Sequence, residues 1–406
     1  TGSITDHPDF IGASITTYDV CASTACPGYD ASGDPLTQVR QPGDIDTGGH
    51  GTLVTGVIAA VRQDDFTTVT DNNVPNGIQG IAYESSVLSI RADSPGSCAR
   101  TGVDEECAFA DSNLVQAIDY AIAQGVSIIN MSLGGEVDAD QSLENAVRRA
   151  AAAGILVVIS AGNEAEPAGT DGMGNPVDAV GQTPSEPAYI AGESASLGRV
   201  VAVGSFYVDP LDPNSAKNYY LLAPGDGIVT TGLDDDIMFP GDPTNDADSE
   251  GDYYSVSGTS FSAPYVAGAL ALLLDAFPNL KQNPELALQI LLDTADDYVD
   301  ASPDAITGQA AGVGADSVSG VGIMNLAEAF RPQGQQTLSL SVEKVSLGEA
   351  LAPTGGAFGD WASNSGAFNG LVFQDKYDRG FRLDADATAK RLPNGLIASR
   401  VVDMNT

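Results

Sequence analysis

Short apolar runs alternate with amphipathic ones along most of the chain. Val87 to Arg91, Val126 to Met131, Ile155 to Ser160 and Arg199 to Phe206 are brief and almost continuously hydrophobic. Runs of that kind suit strands covered on both faces, as in parallel sheets. Leu114 to Ala123 and Leu143 to Ala153 carry helical spacing, and each is followed by a glycine stop, Gly125 and Gly154. A further helix is expected over Leu53 to Val61, and another over Pro284 to Ala295 with proline in its first turn. Pro264 to Phe277 is apolar nearly all round, which predicts a helix at the centre of the molecule. Strands alternating with helices imply crossover units and an α/β fold.

The start of that central helix carries the chemistry. Ser260 stands in Gly258-Thr259-Ser260-Phe261-Ser262-Ala263-Pro264, flanked by small residues that leave room for a substrate backbone. Alone, a serine there reads as a helix cap. It gains meaning from Gly48-Gly49-His50-Gly51-Thr52 and from Ser160-Ala161-Gly162-Asn163. A hydroxyl needs a base to become a nucleophile, imidazole titrates near working pH, and an amide N–H can cradle an oxyanion. The chain has two histidines, His7 and His50, and both precede Ser260. That order excludes an α/β-hydrolase, whose histidine follows its serine. No Gly-Asp-Ser-Gly-Gly signature of the chymotrypsin type is present. The order acid, His, Ser fits if a carboxylate lies upstream of His50.

With these segments in view the sequence resembles the subtilisin-like serine proteases, the subtilases. The match runs through Gly49 to Gly56, Asn130-Met131-Ser132-Leu133-Gly134-Gly135, Ser160 to Asn163, Ala223-Pro224-Gly225 and Gly258 to Gly268, in family order across residues 1 to 331. The resemblance implies a three-layer α/β fold with a mostly parallel central sheet flanked by helices. It implies a serine endopeptidase that works through an acyl-enzyme. Ser260 is then the nucleophile, His50 the base, and Asn163 the oxyanion donor beside the Ser260 N–H. Ser132, Leu133 and Gly134 would pair with the substrate backbone as an added strand, and Gly162 would line the primary pocket. The chemistry needs no cofactor; structural calcium fits the family.

The family's acid sits in an Asp-Thr-Gly or Asp-Ser-Gly turn. This chain begins Thr1-Gly2-Ser3-Ile4-Thr5-Asp6-His7-Pro8-Asp9, and the expectation is that the aspartate lies just before Thr1. Without an acid to orient His50, turnover should be very low. Asp46 could substitute, although a loop carboxylate near a helix start is its plainer reading. Asp6 and Asp9 are expected on a surface loop, and His7 is read as structural or exposed.

Residues 332 to 406 differ in character. Gly356 to Asp360 and Val372 to Phe381 resemble the connector before the outer-membrane barrel of autotransporter subtilases. A small accessory β domain or a linker is the alternative. Expected boundaries are therefore 1–331 for the peptidase and 332–406 for the connector, with a barrel as partner in cis.

Charge and cysteines bound the partners. Against 17 basic residues stand 55 acidic ones, a formal net charge of −38, which argues against nucleic acid. Peptides or proteins remain as substrates, and a monomer is expected. Asp234-Asp235-Asp236 and Asp246-Ala247-Asp248 are oxygen-rich enough for calcium, or simply solvated. Four cysteines allow three pairings, of which Cys21–Cys26 with Cys98–Cys107 is the simplest. Disulfides point to an oxidising compartment, hence a secreted or cell-surface protein of a Gram-negative bacterium. The rival readings are a catalytically degenerate surface adhesin and a hydrolase specialised for maturing other surface proteins.

Overall fold

The computed structural model describes residues 2–29, 35–40, 49–61, 77–98, 107–135, 141–163, 169–170, 176–177, 184–205, 217–232, 253–304, 309–340, 343–346 and 371–383. The chain falls into two units. One comprises Thr1–Asp275 with Asn283–Leu326, the other Ala276–Gln282 with Ala327–Thr406.

The first unit begins with β1 (Ser14–Asp19), a small antiparallel hairpin of β2 (Cys26–Tyr29) and β3 (Pro35–Gln38), helix α1 (His50–Ala59) and β4 (Ser86–Arg91). Then come α2 (Asp111–Gln124), β5 (Ile128–Met131), α3 (Ser142–Ala152), β6 (Leu156–Ser160), β7 (Val200–Ser205) and β8 (Tyr220–Ala223). Strands β5, β6, β7 and β8 lie side by side in chain order, all parallel. Every residue of β6, β7 and β8 is buried, the pattern of strands covered on both faces. Leu143, Ala146, Val147 and Ala150 of α3 pack in the same core as Val157 and Ile159 of β6. Gly125 and Gly154 follow α2 and α3 with φ of 69° and 89°, the left-handed turn that a glycine makes without strain.

One expectation changes. β4 is not bonded to the four-stranded sheet; its ladder is with β1, parallel from Ser14↔Ser86 to Asp19↔Arg91. Its residues are only half-buried, unlike those of β6. Ser86, Ser89 and the terminal Arg91 keep it from the all-apolar character that two-sided burial requires. Tyr18 and Ile90 of this pair still pack against the sheet's core.

A second apolar cluster matters more for function. Leu53, Val54 and Val57 of α1 meet Ile228 of β9 (Ile228–Thr231) and Phe261 of α4 (Thr259–Ala276), with Tyr254 and Val256 of β10 (Tyr253–Val256) against them. Thr230 and Thr231 donate their hydroxyls to the carbonyls of Leu53 and Thr52, at 2.7 and 3.1 Å. α4 starts five residues before the apolar run predicted from Pro264, because Ser260 and its neighbours already turn helical. α5 (Glu285–Asp293) follows.

The second unit holds strands β11 (Thr337–Leu340), β12 (Glu343–Ser346), β13 (Leu371–Gln374) and β14 (Gly380–Leu383) in one antiparallel sheet, ordered β12-β11-β13-β14. Its centre is Arg379, fully buried, paired with Asp375 at 2.7 Å and ringed by Phe277, Tyr377 and Phe381. The guanidinium also donates to the Arg331 carbonyl at 2.8 Å. A buried cation is tolerable only when its donors are satisfied in this way.

Ile159 is fully buried at the middle of the parallel sheet. Replacing it by alanine should destabilise the first unit by about 2–5 kcal/mol, read as a lowered urea midpoint at unchanged slope.

Candidate active site

Three chain segments meet around residues 259 to 261. The first is the loop after β6. The Thr259 N–H donates to Asn163 Oδ1 at 2.8 Å, and the Thr259 hydroxyl donates to the same oxygen at 3.0 Å. A backbone N–H can only donate, so the carboxamide oxygen must face Thr259, and Nδ2 becomes the outward donor. Gly162 is tied to the same hydroxyl, its N–H at 3.3 Å and its carbonyl at 3.1 Å. Gly258 has φ 139°, and a Cβ there would stand 3.3 Å from Asn163 Nδ2. Glycine is required at that position for both reasons.

The second segment follows β5. Ser132 Oγ donates to the Ser260 carbonyl at 2.6 Å and accepts from Asn130 Nδ2 at 3.0 Å. Ser160 Oγ donates to the Leu133 carbonyl at 3.2 Å. Gly134 is exposed, and a side chain on it would press into Ser185 Oγ. Ser185 and Glu186 close the far side: Ser185 N–H donates to the Ala161 carbonyl at 2.9 Å, and Glu186 exchanges two backbone bonds with Gly135. Residues 132–135 and 161–163 are thus the walls of one slot, with Ser185 and Glu186 between them.

The third segment is α1. His50 is its first residue, and Gly49 before it takes φ 62°. The imidazole lies against Phe261, ring centroids 5.7 Å apart. Residues near the amino terminus fix this helix. Ser3 Oγ donates to the Gly51 carbonyl at 3.1 Å and sits 2.6 Å from Thr55 Oγ1 and 2.8 Å from Ser89 Oγ. Burial draws the His50 imidazole down from 6.5 to about 4. His50 is therefore neutral at pH 7 and able to accept a proton. Among the described residues neither its ring nor the Ser260 hydroxyl has a hydrogen-bond partner.

Ser260 is the second residue of α4 and half-buried. Its backbone N–H has no acceptor among the described residues, as expected in the first turn of a helix. The helix end favours negative charge there. The segments that carry Ser260, His50 and Asn163 therefore meet at residues 259–261, through Thr259, the Ser260 carbonyl and Phe261.

Other expectations meet the structure as follows. His7 is buried, tilted against Phe10 and edge-on to Tyr253, and accepts from the Asp9 N–H at 3.1 Å, so its role is structural. Asp9 is corrected: it is buried rather than on a surface loop, because its carboxylate accepts from Ile78 N–H at 2.7 Å and Tyr253 OH at 3.0 Å. Asp6 is exposed. Asp46, Asp234 to Asp236, Asp246 and Asp248 lie outside the described residues. Among the described residues no group of three or more His, Cys, Asp or Glu is placed to hold a metal. The cysteines pair as Cys21–Cys26 and Cys98–Cys107, with Cα separations of 5.6 and 4.4 Å. Between those bridged segments lies a cavity of about 320 Å³, lined by Tyr29, Leu36 and Phe109 among others; none of the residues at 259–261 reaches it. Thr259, Ser185 and Glu186 escaped the sequence reading. Thr259 carried a signal, a hydroxyl beside the nucleophile; the other two carried none.

The profile of the subtilase family matches residues 1–314. The chain is 32% identical over 302 residues to an intracellular serine protease of Paenibacillus polymyxa, covering 72% of each. It is 31% identical over 238 residues to subtilisin DY of Bacillus licheniformis, 58% of this chain and 67% of the relative. Among solved structures, fervidolysin from Fervidobacterium pennivorans superposes with a TM-score of 0.52 at 24% identity, over 83% of this chain and 42% of that one.

Folding lowers the proton affinity of His50, so between about pH 6.5 and 4 the unfolded chain binds a proton that the folded chain refuses. Stability should fall as pH drops through that window and be level above it. His50→Gln should flatten this part of the dependence, read as urea midpoints at successive pH values. Thr259→Ala should loosen Asn163 and lower kcat about tenfold or more with little change in KM, given that loss of such a side-chain donor in a subtilisin costs about 10²–10³.

Proposed function

The chain belongs to the subtilase family, and on that premise we propose that it is a serine endopeptidase whose machinery is Ser260, His50 and Asn163. The observation that carries this reading is the convergence on residues 259–261. Asn163 is bonded to the residue before Ser260, Ser132 to Ser260 itself, and His50 packs on the residue after it.

Ser260 attacks the scissile carbonyl while His50 takes its proton. The carbonyl oxygen becomes an oxyanion between the Ser260 N–H and Asn163 Nδ2. His50 then returns the proton to the leaving amine, and water hydrolyses the acyl-enzyme by the same route in reverse. The substrate backbone lies along Ser132, Leu133 and Gly134, with a side chain directed between them and Gly162. No cofactor enters these steps; calcium, where bound, is structural.

The third member of a triad is a carboxylate that orients the imidazole and stabilises its protonated form. Among the described residues no carboxylate is one of the groups that set the proton affinity of His50. We expect slow turnover wherever no carboxylate orients His50, with Asp46 as the candidate acid upstream of it. The disulfides favour an oxidising, extracellular setting. Its relatives divide on this point, including an intracellular protease and an extracellular one of Xanthomonas campestris. Display on a Gram-negative surface ahead of an outer-membrane barrel rests on the resemblance in residues 356–381 alone; digestion of intact cells by added trypsin tests it.

A fluorophosphonate should label Ser260, and Ser260→Ala should abolish labelling. In a chain that also carries the triad carboxylate, absence of labelling would point instead to a degenerate adhesin. Peptide turnover of the 406-residue chain should sit about 10⁴-fold below an ordinary enzyme rate of about 10 s⁻¹. Ordinary turnover that Asp46→Asn removes would instead make Asp46 the working acid.

A further inference from the structure

Beside the slot, a polar group sits where the core would otherwise be apolar. Tyr189 is on the turn that follows Ser185 and Glu186, its N–H donating to the Ser185 carbonyl at 3.2 Å. Its ring is half-buried and packs on the same core as Leu133, a wall residue of the slot. Its hydroxyl donates to Glu144 Oε1 at 2.7 Å. Glu144 is fully buried on α3, and its other oxygen, Oε2, has no partner among the described residues. Asn113, at the matching position of the neighbouring helix α2, is also fully buried, with neither amide atom bonded.

The field at the phenol is negative. Burial, Glu144 and Glu186 all raise the Tyr189 proton affinity well above 10, and Arg148 opposes them only weakly. Arg148 is itself engaged with Glu193 at 2.8 Å. A phenol that donates to a buried carboxylate has an electron-rich oxygen and ring face, both attractive to a cation. The carboxylate cannot meet substrate directly, because it is fully buried, whereas Tyr189 is part-exposed.

We propose that Tyr189, held in place by Glu144, selects a basic side chain of the peptide substrate beside residues 133–135. Tyr189 touches the lysine or arginine through its oxygen and ring. Glu144 is a positioning residue that fixes the ring and supplies the negative field behind it. Lysine and arginine satisfy this environment because they bring donors only. The formal charge of −38 adds long-range attraction for such substrates. This inference deepens the endopeptidase reading and rests on it.

The test uses the 406-residue chain carrying Ser260→Ala, so that peptides bind without being cut. Octapeptides bear lysine, arginine or the neutral norleucine at each position in turn, and affinity is read by fluorescence anisotropy. At one position the basic residues should bind about tenfold tighter than norleucine. Tyr189→Phe and Glu144→Gln, each close in shape to the native residue, should reduce that ratio to about two- or threefold while norleucine peptides bind nearly as before. A purely structural role would weaken all peptides alike and leave the ratio unchanged, which overturns the proposal. Fluorophosphonate labelling of the unaltered chain runs in parallel. Labelling without a basic preference, whether or not peptides bind, sinks this inference alone; failure of both labelling and peptide binding sinks the endopeptidase reading with it.

Discussion

The bond from the Thr259 amide to the Asn163 carboxamide is the contact on which the geometry of the site depends. It ties the loop leaving a parallel strand to the first turn of the central helix. Loops beyond the carboxyl ends of parallel strands are where open α/β sheets build their sites. A loop amide left to itself rotates freely, and either of its ends could face the helix. Here a backbone donor that has no intrahelical acceptor removes the ambiguity. One unsatisfied group at the start of a helix thus sets the direction of another group's donor. The packing of Phe261 beneath His50 does the same for the imidazole with shape rather than polarity.

The sequence made the ends of this arrangement readable and left its middle blank. Strands at Ile155 to Ser160 and Arg199 to Phe206 emerged within a residue or two, because two-sided burial writes an unbroken apolar run. The helix stops at Gly125 and Gly154 were equally plain, since a left-handed turn favours one residue type. Small-residue motifs single out Ser260, His50 and Asn163 as candidates, and the structure brings their segments together. The separation of β4 from the main sheet was not legible, because ladder partners are a property of distant segments. The burial of Asp9 was missed for a related reason. An aspartate near a proline reads as a turn, and nothing local announces that Ile78 and Tyr253 will supply its donors. Ser185 and Glu186 are of the same kind: their position comes from backbone bonds to Ala161 and Gly135, which leave no trace in side-chain type.

The surface charge and the interior charges act in different ways. The excess of carboxylates is spread along the chain and shapes what approaches. Two clusters of buried charge among the described residues are matched locally. Asp93, fully buried, is met by Arg40 at 2.9 Å and by Arg91 at 2.9 Å, and burial, which would raise its proton affinity, is outweighed by these neighbours. Arg379 and Asp375 form the corresponding pair in the second unit. Such pairs contribute little net stability, but removal of either member leaves an uncompensated ion. They therefore constrain which sequences the fold accepts more than they strengthen it.

The two cystine bridges span only 5 and 9 positions along the chain. Rings so small close little conformational space in the unfolded ensemble, so global stability gains less than from a long-range bridge. Their effect is local. A peptidase must draw several consecutive residues of its victim into an extended line before it can cut. A stapled ring of this size cannot be pulled straight. In a crowded population of identical molecules, each armed to sever exposed loops, those two stretches are the ones that neighbours find hardest to nick.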